Sequence, residues 1–125
     1  MCGVLALIYP KGCFPSFGLL ERMVNRMTHR GPDSMGIKID DGVGFAHRRL
    51  AIIDIIGATQ PMVLTSKIKI TFNGEIYNFR ELRNTLIECG HSFQYDSDTE
   101  VLLHAAEQWG TDCLSRLEGM FAIVV

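Results

Sequence analysis

Cys2 to Tyr9 is an almost unbroken apolar run that Pro10 and Gly12 bring to a stop, a pattern that predicts a strand buried on both faces. Leu20, Met23, Val24 and Met27 then recur at helical spacing. Ser16 suits an N-cap and Gly31-Pro32 closes the segment, so a helix is predicted from Ser16 through His29. Ser34 to Ile39 and Val43 to His47 flank Asp40-Asp41-Gly42, a hairpin signal because glycine accepts the positive φ that tight turns demand. Leu50 to Ile53 are apolar, and Gly57 to Pro61 reads as loop. Lys67 to Phe72 alternates polar and apolar, as a half-buried strand should, and leads into Asn73-Gly74, a pair favoured in tight turns.

Helical periodicity returns after Tyr77. Asn78 with Glu81 predicts a capping box opening a helix that Gly90 stops, and Ser97 with Glu100 repeats the device ahead of Val101, Leu102, Ala105 and Trp109. A shorter helix is expected over Asp112 to Leu117. Met120 to Val125 reads as a fully apolar, buried strand. With no polar tail after that strand, the chain is expected to be truncated from something longer. Otherwise the strand would pair with another copy, making a homo-oligomer, or with a further chain.

Composition narrows the class. A chain of 125 residues with 47% hydrophobic content is the size of one globular domain. A formal charge of -2 and a pI near 6.0 supply no basic footprint, so neither nucleic acid nor a membrane is an expected partner. The apolar runs are too short to span a bilayer, and Lys11 follows the first of them where a signal peptide would put its charge ahead. Cytoplasm is the expected compartment. The four cysteines, Cys2, Cys13, Cys89 and Cys113, form no CxxC pair and have no nearby histidine at zinc spacing, so free thiols and no metal site are expected. Cys89 and Cys113 read as small core residues and Cys13 as a turn residue.

Cys2 carries the candidate chemistry. Once Met1 is trimmed, its thiol and a free α-amine share one residue, a nucleophile beside a base of pKa about 7.7–8.0. Acyl transfer also needs an oxyanion hole and a substrate anchor. Asn73 and Gly74 offer a side-chain amide and a backbone N–H as two donors. Arg49 offers a two-pronged carboxylate clamp, with a surface or inter-strand salt bridge as its competing reading. Glu75 and Asp98 could meet an ammonium group, although Asp98 also reads as an acid complementing a helix dipole. Together they describe a pocket for a zwitterionic amino acid whose side-chain carbonyl a thiolate attacks.

Six strings sit in one order: Met1-Cys-Gly3, His29-Arg-Gly-Pro-Asp-Ser-Met-Gly36, Ala46-His-Arg-Arg-Leu-Ala-Ile-Ile-Asp54, Phe72-Asn-Gly-Glu-Ile-Tyr-Asn-Phe79, Ser97-Asp-Thr-Glu-Val101 and Leu117-Glu-Gly-Met-Phe-Ala122. In these the chain resembles class II glutamine amidotransferases, and the asparagine synthetase branch in particular, over nearly its whole length. The resemblance implies an α+β N-terminal-nucleophile hydrolase fold, an α-β-β-α sandwich of two antiparallel sheets between helical layers. It implies that Cys2 attacks the side-chain amide of L-glutamine, forms a thioester and releases ammonia. Arg49 would anchor the substrate carboxylate, and backbone groups of Leu50, Ile52 and Ile53 would line the glutamine. Asn73 and Gly74 would form the oxyanion hole, Glu75 and Asp98 would face the substrate amine, and His29 to Asp33 would be a supporting loop.

Residues 1–125 would then be the N-terminal part of a type-2 glutamine amidotransferase domain, short of further strands and of the synthetase domain that receives the ammonia. No cofactor is expected here; ATP and magnesium belong to the absent domain. The competing readings are a catalytically silent copy that binds an amino acid or a partner, and a truncated fragment.

Overall fold

The computed structural model describes residues 1–51, 59–65 and 67–125, and these form two three-stranded sheets held between helices. Strands β1 (Gly3–Ile8), β2 (Ser34–Asp40) and β3 (Val43–Arg49) make the first sheet, antiparallel throughout in the order β1-β3-β2. Asp41-Gly42 joins β2 to β3 as a two-residue hairpin with Gly42 at φ +77°, as the sequence predicts. Helix α1 (Phe17–Asn25) lies across this sheet. Leu5 and Leu7 of β1, Ala46 of β3 and Ile37 and Ile39 of β2 form one face and pack on Leu20, Val24 and Met27. Alternation turns Cys2, Val4 and Ala6 toward the opposite face. There β1 meets the second sheet, but after Gly3 its residues are only half-buried and Ile8 is exposed, so the strand is less buried than the sequence predicts.

The second sheet runs β4 (Met62–Val63), β5 (Lys69–Ile76), β6 (Gly119–Val124), again antiparallel. Helices α2 (Phe79–Glu88) and α3 (Asp98–Trp109) cover its outer face. Ile70, Phe72 and Ile76 pack there against Leu82, Leu86, Val101, Leu102, Leu103 and Cys113. The α-β-β-α sandwich expected from the sequence is the one found. Among the described residues, the Nδ1 of buried His47 on β3 meets Thr71 Oγ1 on β5 at 3.0 Å and Lys69 of β5 pairs with Asp40 of β2, tying the sheets together.

Several expectations are corrected. Asn73-Gly74 is not a turn. Both residues lie inside β5, paired with Ala122 and Phe121 of β6. The tertiary partner overrides the local turn preference, and Gly74 permits it: a Cβ there would sit 2.2 Å from the Met120 carbonyl oxygen. Helix α1 ends at Asn25 and not His29, the chain continuing in turns to Arg30. Asn78 does not cap α2; its side chain accepts from Glu118 N–H at 3.0 Å and donates to Arg116 C=O at 2.9 Å. Ser97 does cap α3, accepting from Glu100 N–H at 3.3 Å, but the Glu100 carboxylate turns to Gln94 and Tyr95 N–H. Cys89 is exposed at the end of α2, and residues 110–116 form a 3-10 helix. Strand β6 is not fully buried; it lies at the sheet edge, with Met120 and Phe121 exposed.

Candidate active site

Cys2 immediately precedes β1 at the end of the first sheet, and its thiol is held by one backbone unit. The Leu50 N–H points at Sγ over 3.3 Å, and the Leu50 carbonyl lies 3.7 Å from it. A thiol can donate to that carbonyl and a thiolate can accept from that N–H, so Leu50 positions the sulfur in either state. The 29–33 loop fastens the same corner. Arg30 Nε donates to the Cys2 carbonyl at 3.0 Å, Asp33 N–H donates to the Arg49 carbonyl at 3.0 Å, and Ala51 N–H donates to the Asp33 carboxylate at 2.7 Å. Gly31 allows this approach, because a Cβ there would lie 2.4 Å from the Arg48 carbonyl group.

The sulfur opens onto a cavity of about 270 Å³ between the two sheets and the start of α3. Its walls include Cys2, Arg49, Leu50, Asn73, Gly74, Glu75 and Asp98, every described residue that the sequence marks for the site. Ile52 and Ile53, the remaining two, lie outside the described residues. Arg49 ends β3 and is buried at 9% exposure, which rules out a surface role.

Hydrogen-bond parity along β5 fixes what Gly74 offers. Even-numbered residues face β4: Met62 pairs with Ile70, and Leu64 N–H donates to the Ile68 carbonyl. Odd-numbered residues face β6, as Tyr77 N–H shows by donating to the Glu118 carbonyl. Strand β4 stops short, so beyond Ile70 side chains take over that edge. Phe72 N–H donates to Gln60 Oε1 at 2.6 Å, and Ile76 N–H donates to Asp98 Oδ2 at 3.2 Å. Gly74 N–H lies between these two on the same edge, where the cavity runs. Asn73 shares the inter-sheet face of Thr71, the face toward which Cys2 also points.

The cavity wall carries acids as well as Arg49. Burial raises the Asp98 carboxyl above its ordinary pKa, and the Glu75 charge pushes it the same way against hydrogen bonds from Ile76 and Thr99. A cation arriving between Glu75 and Asp98 would favour the charged carboxylate and so oppose this shift. Beneath Arg49, burial first and the Arg49 charge second hold His47 at a pKa of about 4, so it is a neutral ring at physiological pH. Gln60 is the residue sequence reasoning missed. It lines the cavity, caps Phe72, and reaches Thr99 Oγ1 at 3.3 Å, yet a glutamine before a proline in a loop carries no local signal.

The chain matches the family model described as a glutamine amidotransferase domain over residues 1–125. It belongs to that family. It is 40% identical over 129 residues to asparagine synthetase [glutamine-hydrolyzing] 3 of Bacillus subtilis, covering all of this chain and 21% of that protein. Asparagine synthetase [glutamine-hydrolyzing] 1 of the same organism is 45% identical over 108 residues, 86% of this chain and 17% of its own length. An Arabidopsis thaliana asparagine synthetase, number 3, is 38% identical over 130 residues. The chain therefore spans about a fifth of the length of the relatives it matches. Among solved structures, the glutamine phosphoribosylpyrophosphate amidotransferase of B. subtilis superposes with a TM-score of 0.66 at 20% identity. That match covers 98% of this chain and 34% of the other, and it shows the shared fold. Among the described residues no helix is long and apolar enough to cross a membrane.

Proposed function

We propose that this domain hydrolyses glutamine through a Cys2 thioester and hands the ammonia to a synthetase domain. The carrying observation is that Cys2, Arg49, Asn73, Gly74, Glu75 and Asp98, drawn from four separate segments, line one cavity. Removal of Met1 frees the Cys2 α-amine. That amine takes the thiol proton as Sγ attacks the side-chain amide carbon of glutamine. The carbonyl oxygen gains the charge, and the Asn73 amide and the Gly74 N–H receive it. Collapse expels the amide nitrogen, which leaves as ammonia with the proton the α-amine holds. Water then attacks the thioester, releasing glutamate and restoring the thiol.

Arg49 clamps the glutamine α-carboxylate, Glu75 and Asp98 meet its α-ammonium, and the backbone of Leu50 lines the bound chain. On the strength of the relatives, the ammonia acceptor is an aspartate activated elsewhere, in the part of the protein that uses ATP and magnesium. The exposed edge of β6 suits pairing with a further strand, from that remainder or from a second copy. Glutamate release by Met1-free chain tests the reading. Cys2→Ala should abolish it, while Cys13→Ala, Cys89→Ala and Cys113→Ala should leave it intact. Full activity in Cys2→Ala would overturn the mechanism.

A further inference from the structure

On the far side of α3 from the cavity mouth, three side chains converge that glutamine hydrolysis does not use. His91 Nδ1 and His104 Nδ1 face each other at 3.0 Å, and Glu107 Oε2 lies 3.5 Å from the first and 3.6 Å from the second. We propose that His91, His104 and Glu107 bind a divalent transition-metal ion, with Zn²⁺ the best fit. Three N and O donors at bonds of about 2.0–2.2 Å, placed at corners of a tetrahedron, stand about 3.3–3.5 Å apart. The three measured edges, 3.0, 3.5 and 3.6 Å, bracket that spacing. A solvent molecule would complete the fourth corner, because Glu107 is partly exposed.

The supporting groups are those a metal site needs. Gln108 Oε1 lies 2.8 Å from His91 Nε2, where it can only accept. With that oxygen accepting, His91 holds its proton on Nε2 and its Nδ1 accepts the Nδ1–H of His104, the one proton that metal binding has to displace. His104 is packed edge-on by Phe93 and His91, which limits its ring. Both arms are rigid. His104 and Glu107 are three residues apart on α3, hence on one face. His91 follows Gly90, at φ +96°, in a Schellman close to α2: His91 N–H donates to the Leu86 carbonyl at 3.0 Å and Gly90 N–H to that of Ile87 at 2.9 Å. A bound ion would clamp the end of α2 to the middle of α3, about 9 Å along the helix from Asp98. It would stabilise the helical layer by binding the folded state alone. The sequence hides this set, because His91 lies in a connection 13 residues from His104.

Titration of the metal-stripped chain with Co²⁺ and then Zn²⁺ tests the proposal. The expected result is one equivalent bound, with ligand-field absorption but no sulfur-to-cobalt charge-transfer band, and a higher melting temperature. His91→Ala, His104→Gln and Glu107→Gln should each weaken binding at least ~10-fold, since even partners outside the ligand set cost that much. Cys2→Ser should leave binding unchanged. His91 and Glu107 are the less buried ligands, so their variants keep the test valid if His104→Gln unfolds. No uptake at micromolar metal, a thiolate charge-transfer band, or binding indifferent to His91→Ala and Glu107→Gln would overturn it. The two imidazoles would then simply be hydrogen-bonded.

Discussion

Arg49 shows how a residue acquires a function from its surroundings. An arginine between apolar strands reads more readily as a salt-bridge partner, and here it is also buried in the wall that holds Cys2. Losing a bidentate, buried carboxylate contact costs roughly 2–5 kcal/mol. Arg49→Ala should therefore raise the KM for glutamine by between about 30-fold and several thousandfold. Arg49→Lys should restore only part of this, because an ammonium cannot make the forked contact. Steady-state kinetics decide the matter, and an unchanged KM in Arg49→Ala would make the residue structural. Cys2, Arg49 and Asp98 were legible because their chemistry is local and their strings are in register. Gln60 was not, since its role depends on where β4 happens to stop.

At the scale of elements, the lesson lies in β5. The sequence marks Asn73-Gly74 as a turn, and both residues lie inside the strand instead. The two residues nevertheless line the cavity: among the described residues β4 pairs with β5 no further than Ile70, and Gly74 N–H faces that same edge. Gly74 is fixed by β6, whose backbone would meet an added Cβ at 2.2 Å and 2.6 Å. Gly74→Ala should destabilise the chain by roughly 1–3 kcal/mol, the cost of overpacking, and distort the edge next to Asn73. Chemical denaturation measures the first effect and glutaminase kcat the second. An alanine variant as stable and active as the parent would show that β5 and β6 part easily. Residues with strong caps, such as Ser97, were read correctly. Asn78 was not, because its amide finds partners 38 and 40 residues away.

Across the whole molecule, the sheets are joined at His47, whose ring is neutral between β3 and β5. Its folded pKa of about 4 lies below the ordinary 6.5, so the unfolded chain binds the extra proton first. The resulting stability is complete above pH 6.5 and is lost as pH falls toward 4, a loss of about 3 kcal/mol in total. Urea unfolding between pH 7 and 5 should show it, and His47→Gln, which keeps a partner for Thr71, should flatten the dependence. A parent curve already flat in that window would contradict a buried neutral ring. Individual strands and helices were legible because each carries its own period, whereas the layered architecture was implied by the family resemblance alone. The inter-sheet ties were not, because His47 with Thr71 and Lys69 with Asp40 lie 24 and 29 residues apart with no shared pattern.

The central claim is that Cys2 carries the acyl group, and rapid acid quench of the Met1-free chain with glutamine tests it most directly. Intact and peptide mass spectrometry should find a glutamyl thioester on the Cys2 peptide, removed by hydroxylamine and absent while Met1 is retained. An adduct on Cys13, Cys89 or Cys113, or glutamate formed with no adduct on Cys2 at any quench time, would contradict it.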